Sequence, residues 1–297
     1  MRIEKTARET LTAVEMDLGD ELVFQLADGT RRSIVLEKAW AAVESTTLAE
    51  LKKPQRGART VCRCHCQLRI DGVAVQLVRW VGDQRSFCEP RELFGLWLWF
   101  DATDGLFDFL TENHGPCKPR KKARFAVQDA SRRICPVLLH PWCPLPAGGI
   151  RIEDCYDGTD SWMGPYFGAD AHGGLDINHP AGTPLWTPIV IDDHAFYNHV
   201  EKGENNNRWQ GTHQWPDGSV WMLRTCHIIH LLAREHEPLP AGTQYANSAG
   251  MLTGSHEHSH FVFGVREPGA AEGDEILLDP WILFRQMYRD RQLTMAE

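Results

Sequence analysis

The stretch Thr60-Val-Cys-Arg-Cys-His-Cys-Gln-Leu-Arg-Ile70 alternates apolar and polar residues without a break. Cys62, Cys64, Cys66, Leu68 and Ile70 fall on one side of the period, and Arg63, His65, Gln67 and Arg69 on the other. An extended strand sends successive side chains to opposite faces, so this segment is expected as a half-buried strand with cysteine serving as a small hydrophobe. Asp71-Gly72 and an apolar run to Val78 follow at once, which predicts a hairpin. The same device recurs around Asp28-Gly29, between Glu21–Ala27 and Ser33–Leu36. A chain punctuated in this way is committed to sheet, and the expected fold class is mainly β (α+β overall). A metal site of Cys62, Cys64 and Cys66 with His65 competes with the core strand, but places His65 on the face opposite the cysteines. Nine cysteines cannot all pair within one chain. Reduced thiols are expected, which fits a cytoplasmic protein.

Residues 1–135 read as a strand-rich accessory domain, with a helix expected over Glu37–Leu51. The aromatic run Phe94–Leu110 is expected in a core. The basic, Pro-containing stretch His114–Arg124 and the Pro- and Gly-rich stretch Pro136–Gly149 mark a junction. Residues 136–149 are placed as a linker, and 150–297 as a second domain with strands at Leu185–Ile191, Ser219–His227 and His260–Val265. A formal net charge of −9 argues against a nucleic-acid partner. No apolar run approaches the ~18 residues of a membrane span. The start, MRIEKTARET, lacks the apolar segment of a secretory leader. The protein is expected to be cytoplasmic as it stands, and periplasmic or extracellular if a leader has been removed; its oligomeric state is not legible.

Histidine is concentrated late: eleven of fourteen lie after residue 170, in less than half the chain. A catalytic zinc takes three ligands from His, Asp and Glu and leaves a position open. His172 and Asp176 are one candidate pair, separated by Gly173-Gly174-Leu175, where the glycines allow a bent loop to bring both side chains together. In TGSHEHSHFVFG, Thr253–Gly264, the residues His256, His258 and His260 alternate before an apolar run, so a strand projects all three to one side. His227 and His230 end another apolar strand, in RTCHIIHLL.

Taken in order, these elements resemble the lysostaphin/LytM-type zinc metalloendopeptidases, peptidoglycan hydrolases of duplicated-hybrid-motif fold. Tyr166-Phe167-Gly168 precedes His172-Gly-Gly-Leu-Asp176, and Ala181-Gly182-Thr183-Pro184 follows. His227-Ile228 stands where the family has its middle histidine. Gly242-Thr243 and Thr253-Gly254 lead into the H-x-H-aromatic motif, and Asp279-Pro280-Trp281 resembles a common ending. The match spans roughly Asp160 to Val265, and the first 150 residues share none of it.

The resemblance implies a C-terminal antiparallel β-sheet peptidase domain, one Zn2+ held by His172, Asp176 and His260, and catalytic roles for His227 and His258. It implies a peptide substrate in peptidoglycan cross-links or stems. His260 is taken as the ligand because only His258-Ser259-His260-Phe261 is followed by an aromatic residue; the register His256/His258 keeps the preceding Thr-Gly better and competes with it. Tyr166, His256 and His230 are candidate groove or oxyanion residues. His179, His194, His199, His213 and His236 are expected on surfaces and loops. Cys226 is expected to be buried on the face away from His227. The acidic residue common after the H-x-H-aromatic motif is missing here. Two alternatives remain: a non-catalytic LytM-like module that binds wall peptides or a partner, and a metallopeptidase acting on a non-wall peptide.

Overall fold

The computed structural model describes residues 1–197, 207–249 and 257–294, which form two compact units. The first comprises Met1–Pro136 and Met163–Gly173, and the second Val137–Trp162 and Gly174–Glu297. Both are built mainly of strands, in line with the expected class.

The first unit contains β1 (Arg2–Thr6), β2 (Thr12–Met16), β3 (Glu21–Gln25), β4 (Arg31–Thr46), β5 (Thr60–Ile70), β6 (Val73–Val81), β7 (Arg91–Leu93), β8 (Leu96–Thr103), β9 (Thr111–His114), β10 (Ala123–Asp129) and β11 (Asp170–His172). They form sheets ordered β1-β3-β4-β5-β6 and β2-β10-β8-β7, and a parallel pair β9–β11. The alternating stretch is β5: Cys62, Cys64, Cys66, Leu68 and Ile70 have no exposed surface. His65, on the other side, stacks on its cross-strand partner Trp40 with ring centroids 4.8 Å apart.

The helix expected over Glu37–Leu51 is not formed. β4 continues through most of it, paired with β5 as far as Thr46, while β3 pairs only with its first part, Arg31–Val35. Register shifts between Leu36/Lys38 and Val43/Ser45 add residues to the strand and break the period that would have betrayed it. Tertiary pairing overrides a weak local preference.

The second unit contains β12 (Leu175–Asn178), β13 (Pro184–Trp186), β14 (Asp193–Tyr197), β15 (Asn207–Gln214), β16 (Val220–Ile229), β17 (Gln244–Ser248), β18 (His258–Arg266), β19 (Ile276–Leu278) and the helix α1 (Trp281–Thr294). The main antiparallel path is β12-β18-β16-β15-β14, with β17 on β16 and β13, and β19 on β18. The strand expected at Leu185–Ile191 stops at Trp186, since Pro188 has no N–H for a ladder.

One face of this sheet is core. Phe261, Phe263 and Val265 are fully buried there, and Phe261 packs on Trp142 and Phe284 at centroid distances of 5.0 and 5.2 Å. Trp142 comes from the Pro- and Gly-rich stretch and has no exposed surface. Tyr245, stacked on Trp209 at 4.0 Å, shares hydrogen bonds with Thr225 and the Trp142 indole. With Phe261 held inward, alternation along β18 turns His258 and His260 to the opposite face. Among the described residues, no helix is long and apolar enough to cross a membrane.

Candidate metal centre

Strand register positions the central pair of residues. In the antiparallel pairing of β12 with β18, Asp176 stands directly across from His260. Directly opposed residues share a face, so the carboxylate and the imidazole meet: Asp176 Oδ1 lies 2.9 Å from His260 Nδ1. His172 ends β11, and the chain runs from it through Gly173-Gly174 straight into β12. Ligand atoms of His172, Asp176 and His260 all lie within 4.8 Å of one another.

This donor set fits a zinc ion. Two imidazoles and one carboxylate are typical zinc ligands, and three leave a fourth tetrahedral position open. Neighbouring ligands at ~2 Å from a tetrahedral ion stand ~3.3 Å apart, close to the separation of the Asp176–His260 pair. His172 and Asp176 are buried, while the His260 side chain keeps 14% of its surface exposed. Gly174 explains how the His260 ring comes so close to the start of β12. A Cβ there would collide with His260 Cε1 and Nε2 and stand 2.7 Å from the Phe261 carbonyl oxygen. Its backbone is not in the left-handed region, so this glycine is required for space rather than for conformation.

His258 points at the same carboxylate, with Nε2 3.4 Å from Asp176 Oδ2. Among the described residues, however, the group of three is completed by His260 and does not include His258. His227 lies beside them, its ring centroid 4.8 Å from His258 and 6.3 Å from His260. The backbone at His227 is in the left-handed region, at φ 63°. Arg208 pairs with Cys226 and Asn207 with Ile228, so His227 is the extra residue of a β-bulge. A bulge re-aims a side chain that the pleat would have sent elsewhere. It also corrects one expectation: Cys226 is buried, but the register sets it across from His260 and on that residue's face.

The other expected site residues are dispersed. His230 is exposed just past the end of β16, at φ 50°. Within the first unit, Tyr166 packs its ring against His114 and Phe167 at 4.4 and 4.0 Å. His256 and His199 lie outside the described residues. His194 is buried and accepts a hydrogen bond from the Trp209 indole at 3.2 Å, contrary to the exposed turn expected for it. His179 is half-buried, its Nε2 2.8 Å from Ser259 Oγ. Burial, with a smaller contribution from neighbouring His258, pushes His179 down to about 4.

Two neighbours of the centre carry no motif. The buried Tyr156 ring packs on His258 at 4.6 Å. His114, read from sequence as part of a basic linker, is the last residue of β9 and pairs with His172 on β11. Its ring centroid is 6.4 Å from that of His172. Only the parallel β9–β11 pairing, a long-range contact, could have revealed it.

No protein-family model matches the chain, and no curated protein matches it. Similar solved structures include the catalytic domain of the antimicrobial peptidase lysostaphin from Staphylococcus simulans, at 16% identity over 49% of this chain and 90% of that one, TM-score 0.31. A zinc-containing peptidase from Vibrio cholerae is similar at 14% identity over 91% and 84% of the two chains, TM-score 0.34. The catalytic domain of the prophage-encoded M23 protein EnpA from Enterococcus faecalis is similar at 18% identity over 39% and 80%, TM-score 0.29.

Proposed function

We propose that the chain is a zinc metalloendopeptidase of the lysostaphin/LytM type, hydrolysing peptide bonds in peptidoglycan cross-links or stem peptides. The observation that carries this reading is the convergence of His172, Asp176 and His260, whose ligand atoms lie within 4.8 Å of one another. These three residues would hold one Zn2+. When bound, the ion would polarise the scissile carbonyl and make a water acidic enough to attack near neutral pH.

The remaining chemistry belongs to the chain. Hydrolysis of an amide requires a proton to leave the attacking water and another to reach the departing amine nitrogen. Imidazoles can take and give protons near neutrality. His258, oriented by the Asp176 carboxylate 3.4 Å away, is suited to accept the water proton and then pass it to the departing amine nitrogen. His227, with its ring 4.8 Å from His258, can donate to the oxygen that gains negative charge. Its bulged backbone aims that imidazole towards the cluster. The strand-rich residues 1–135 are proposed as an accessory module.

Metal analysis of the purified chain, combined with digestion of peptidoglycan fragments and of unrelated peptides, tests the reading. One zinc per chain and chelator-sensitive cleavage of wall peptides are expected. Absence of both zinc and cleavage overturns it. Zinc with cleavage confined to other peptides moves the substrate outside the wall. Binding of wall peptides without zinc or cleavage identifies a regulatory module.

A further inference from the structure

The sheet face that carries His258 and His260 extends well past the metal cluster. Register pairs Asp176 with His260, His260 with Cys226, Cys226 with Arg208, and Arg208 with Tyr197. One row of side chains therefore crosses β12, β18, β16, β15 and β14 on a single face. The adjacent row pairs Val262 with Arg224 and Arg224 with Gln210. Two guanidinium groups thus share the face of the cluster. Neighbouring strands are ~4.8 Å apart, so the Arg208 Cα stands two strands, roughly 10 Å, from that of His260. Arg224 is one strand over and two residues along, a diagonal of roughly 7–8 Å.

Among the described residues neither arginine is paired with a carboxylate. Both are half-buried. Arg224 donates from Nε and NH2 to a neutral acceptor, Gln210 Oε1, at 3.0 and 2.7 Å. Arg208 Nε is buried with no hydrogen-bond partner among the described residues. By contrast, buried Arg124 reaches Asp101 at 2.6 Å, and the exposed Arg69 reaches Glu37 at 2.6 Å. Forty acidic residues against thirty-one Lys and Arg make it easy to place a carboxylate beside a guanidinium.

We infer that Arg208 and Arg224 form a carboxylate-binding subsite beside the metal cluster, selecting peptides that bear a carboxylate near the bond held at the cluster. A planar guanidinium presents paired N–H donors that match a carboxylate's two oxygens, and partial burial strengthens the pairing. An extended peptide advances ~3.3 Å per residue, so the arginines address a group roughly one to three residues from that bond. The carboxylate can come from the peptide's C-terminus or from an acidic side chain. The inference rests on the peptidase reading for the reaction, but binding selectivity can be measured without it.

The test is calorimetric binding of three acetylated Gly/Ala pentapeptides to the full chain. One has a free C-terminus, one is amidated, and one is amidated with a single Glu. Wild type should bind one or both acids roughly 10- to 100-fold tighter than the neutral amide, the effect of a charge-assisted hydrogen bond. In Arg208→Gln and Arg224→Gln the acid-to-amide ratio should fall towards one, and in the corresponding Lys variants a preference should remain. Preference for the free C-terminus or for Glu identifies the source. Equal binding of all three peptides to wild type overturns the inference, as does an acid preference that survives in both Gln variants. The ratio is taken within one protein, so a general loss of folding cannot imitate its collapse. Zinc content and hydrolysis, measured on the same wild-type sample, report separately on the peptidase reading.

Discussion

Gly174→Ala tests how the metal cluster is assembled. The new methyl group would overlap the His260 imidazole and sit 2.7 Å from the Phe261 carbonyl oxygen. That carbonyl is backbone of β18, held between β12 and β16, and has little freedom to yield. The ring can rotate, but rotation takes Nδ1 away from Asp176 Oδ1, now 2.9 Å distant. Overpacking of this kind costs ~1–3 kcal/mol. A displaced ligand should also weaken zinc about 10- to 100-fold. With free zinc at 100 times Kd, bound metal stabilises wild type by ~2.7 kcal/mol, and a 100-fold weakening leaves ~0.4 kcal/mol. The variant should therefore lose up to ~2.3 kcal/mol more in zinc than in chelator. Denaturant unfolding of both proteins in zinc and in chelator measures this difference. Gly182→Ala is the comparison, since Gly182 has φ +81° with nothing within 4 Å of a new Cβ. It should lose ~1–2 kcal/mol from backbone strain alone, equally in both conditions. If Gly174→Ala binds zinc like wild type and its loss is the same with and without chelator, the His260 ring does not occupy that space and the assembly is wrong.

Three further outcomes are expected. Asp176→Asn removes the charge shared by His258 and His260 while keeping the shape, and should lower zinc affinity at least ~100-fold in a competition titration with a chromophoric chelator. His227→Gly relieves a left-handed residue and should raise stability by ~0.5–1 kcal/mol, while cleavage falls ~10²- to 10⁴-fold and zinc content stays constant; parallel melts, metal analysis and peptide assays check this. For His179 the folded state favours the neutral ring, so acid protonates the unfolded chain first. Stability of the chelator-treated protein should fall as pH drops from ~6.5 to about 4, by up to ~3 kcal/mol, and His179→Gln should flatten that slope in denaturant melts.

Local periodicity explains which parts of this architecture could be read from sequence. The β5–β6 hairpin was legible because nothing interrupts its alternation between Thr60 and Ile70 and Asp71-Gly72 supplies the turn. β16 and β18 were legible as apolar runs of strand length. β4 was not, because its bulges shift the alternation midway and neighbouring strands, rather than propensity, hold it extended. At the candidate metal centre, the Gly-Gly spacing suggested that His172 and Asp176 could converge, and the family resemblance, through the aromatic residue after His260, favoured that histidine over the register His256/His258. The bulge at His227 was not legible because histidine, though it enters the left-handed region more often than most residues, does so too rarely for the residue type alone to mark one. His114 and the pair Arg208 and Arg224 were hidden for a different reason. Their place depends on which strands lie side by side, and strand order is not written locally.

The buried cysteines of the core strands make the protein its own unfolding reporter. Burial pushes Cys62, Cys64 and Cys117 in the first unit, and Cys143 in the second, up to about 12. The thiolate is the form that attacks an alkylating reagent, so these buried, protonated sulfurs are chemically silent while the chain is folded. Each is labelled only when its surroundings open, at a rate set by the free energy of that opening. Cys88 is half-buried, and Cys88→Ser removes a group that would react early. Timed labelling followed by peptide mass analysis then records the opening of Cys62 and Cys64 independently of Cys143. The endurance of each unit can be followed in a mixture, without an added dye and without cutting the chain.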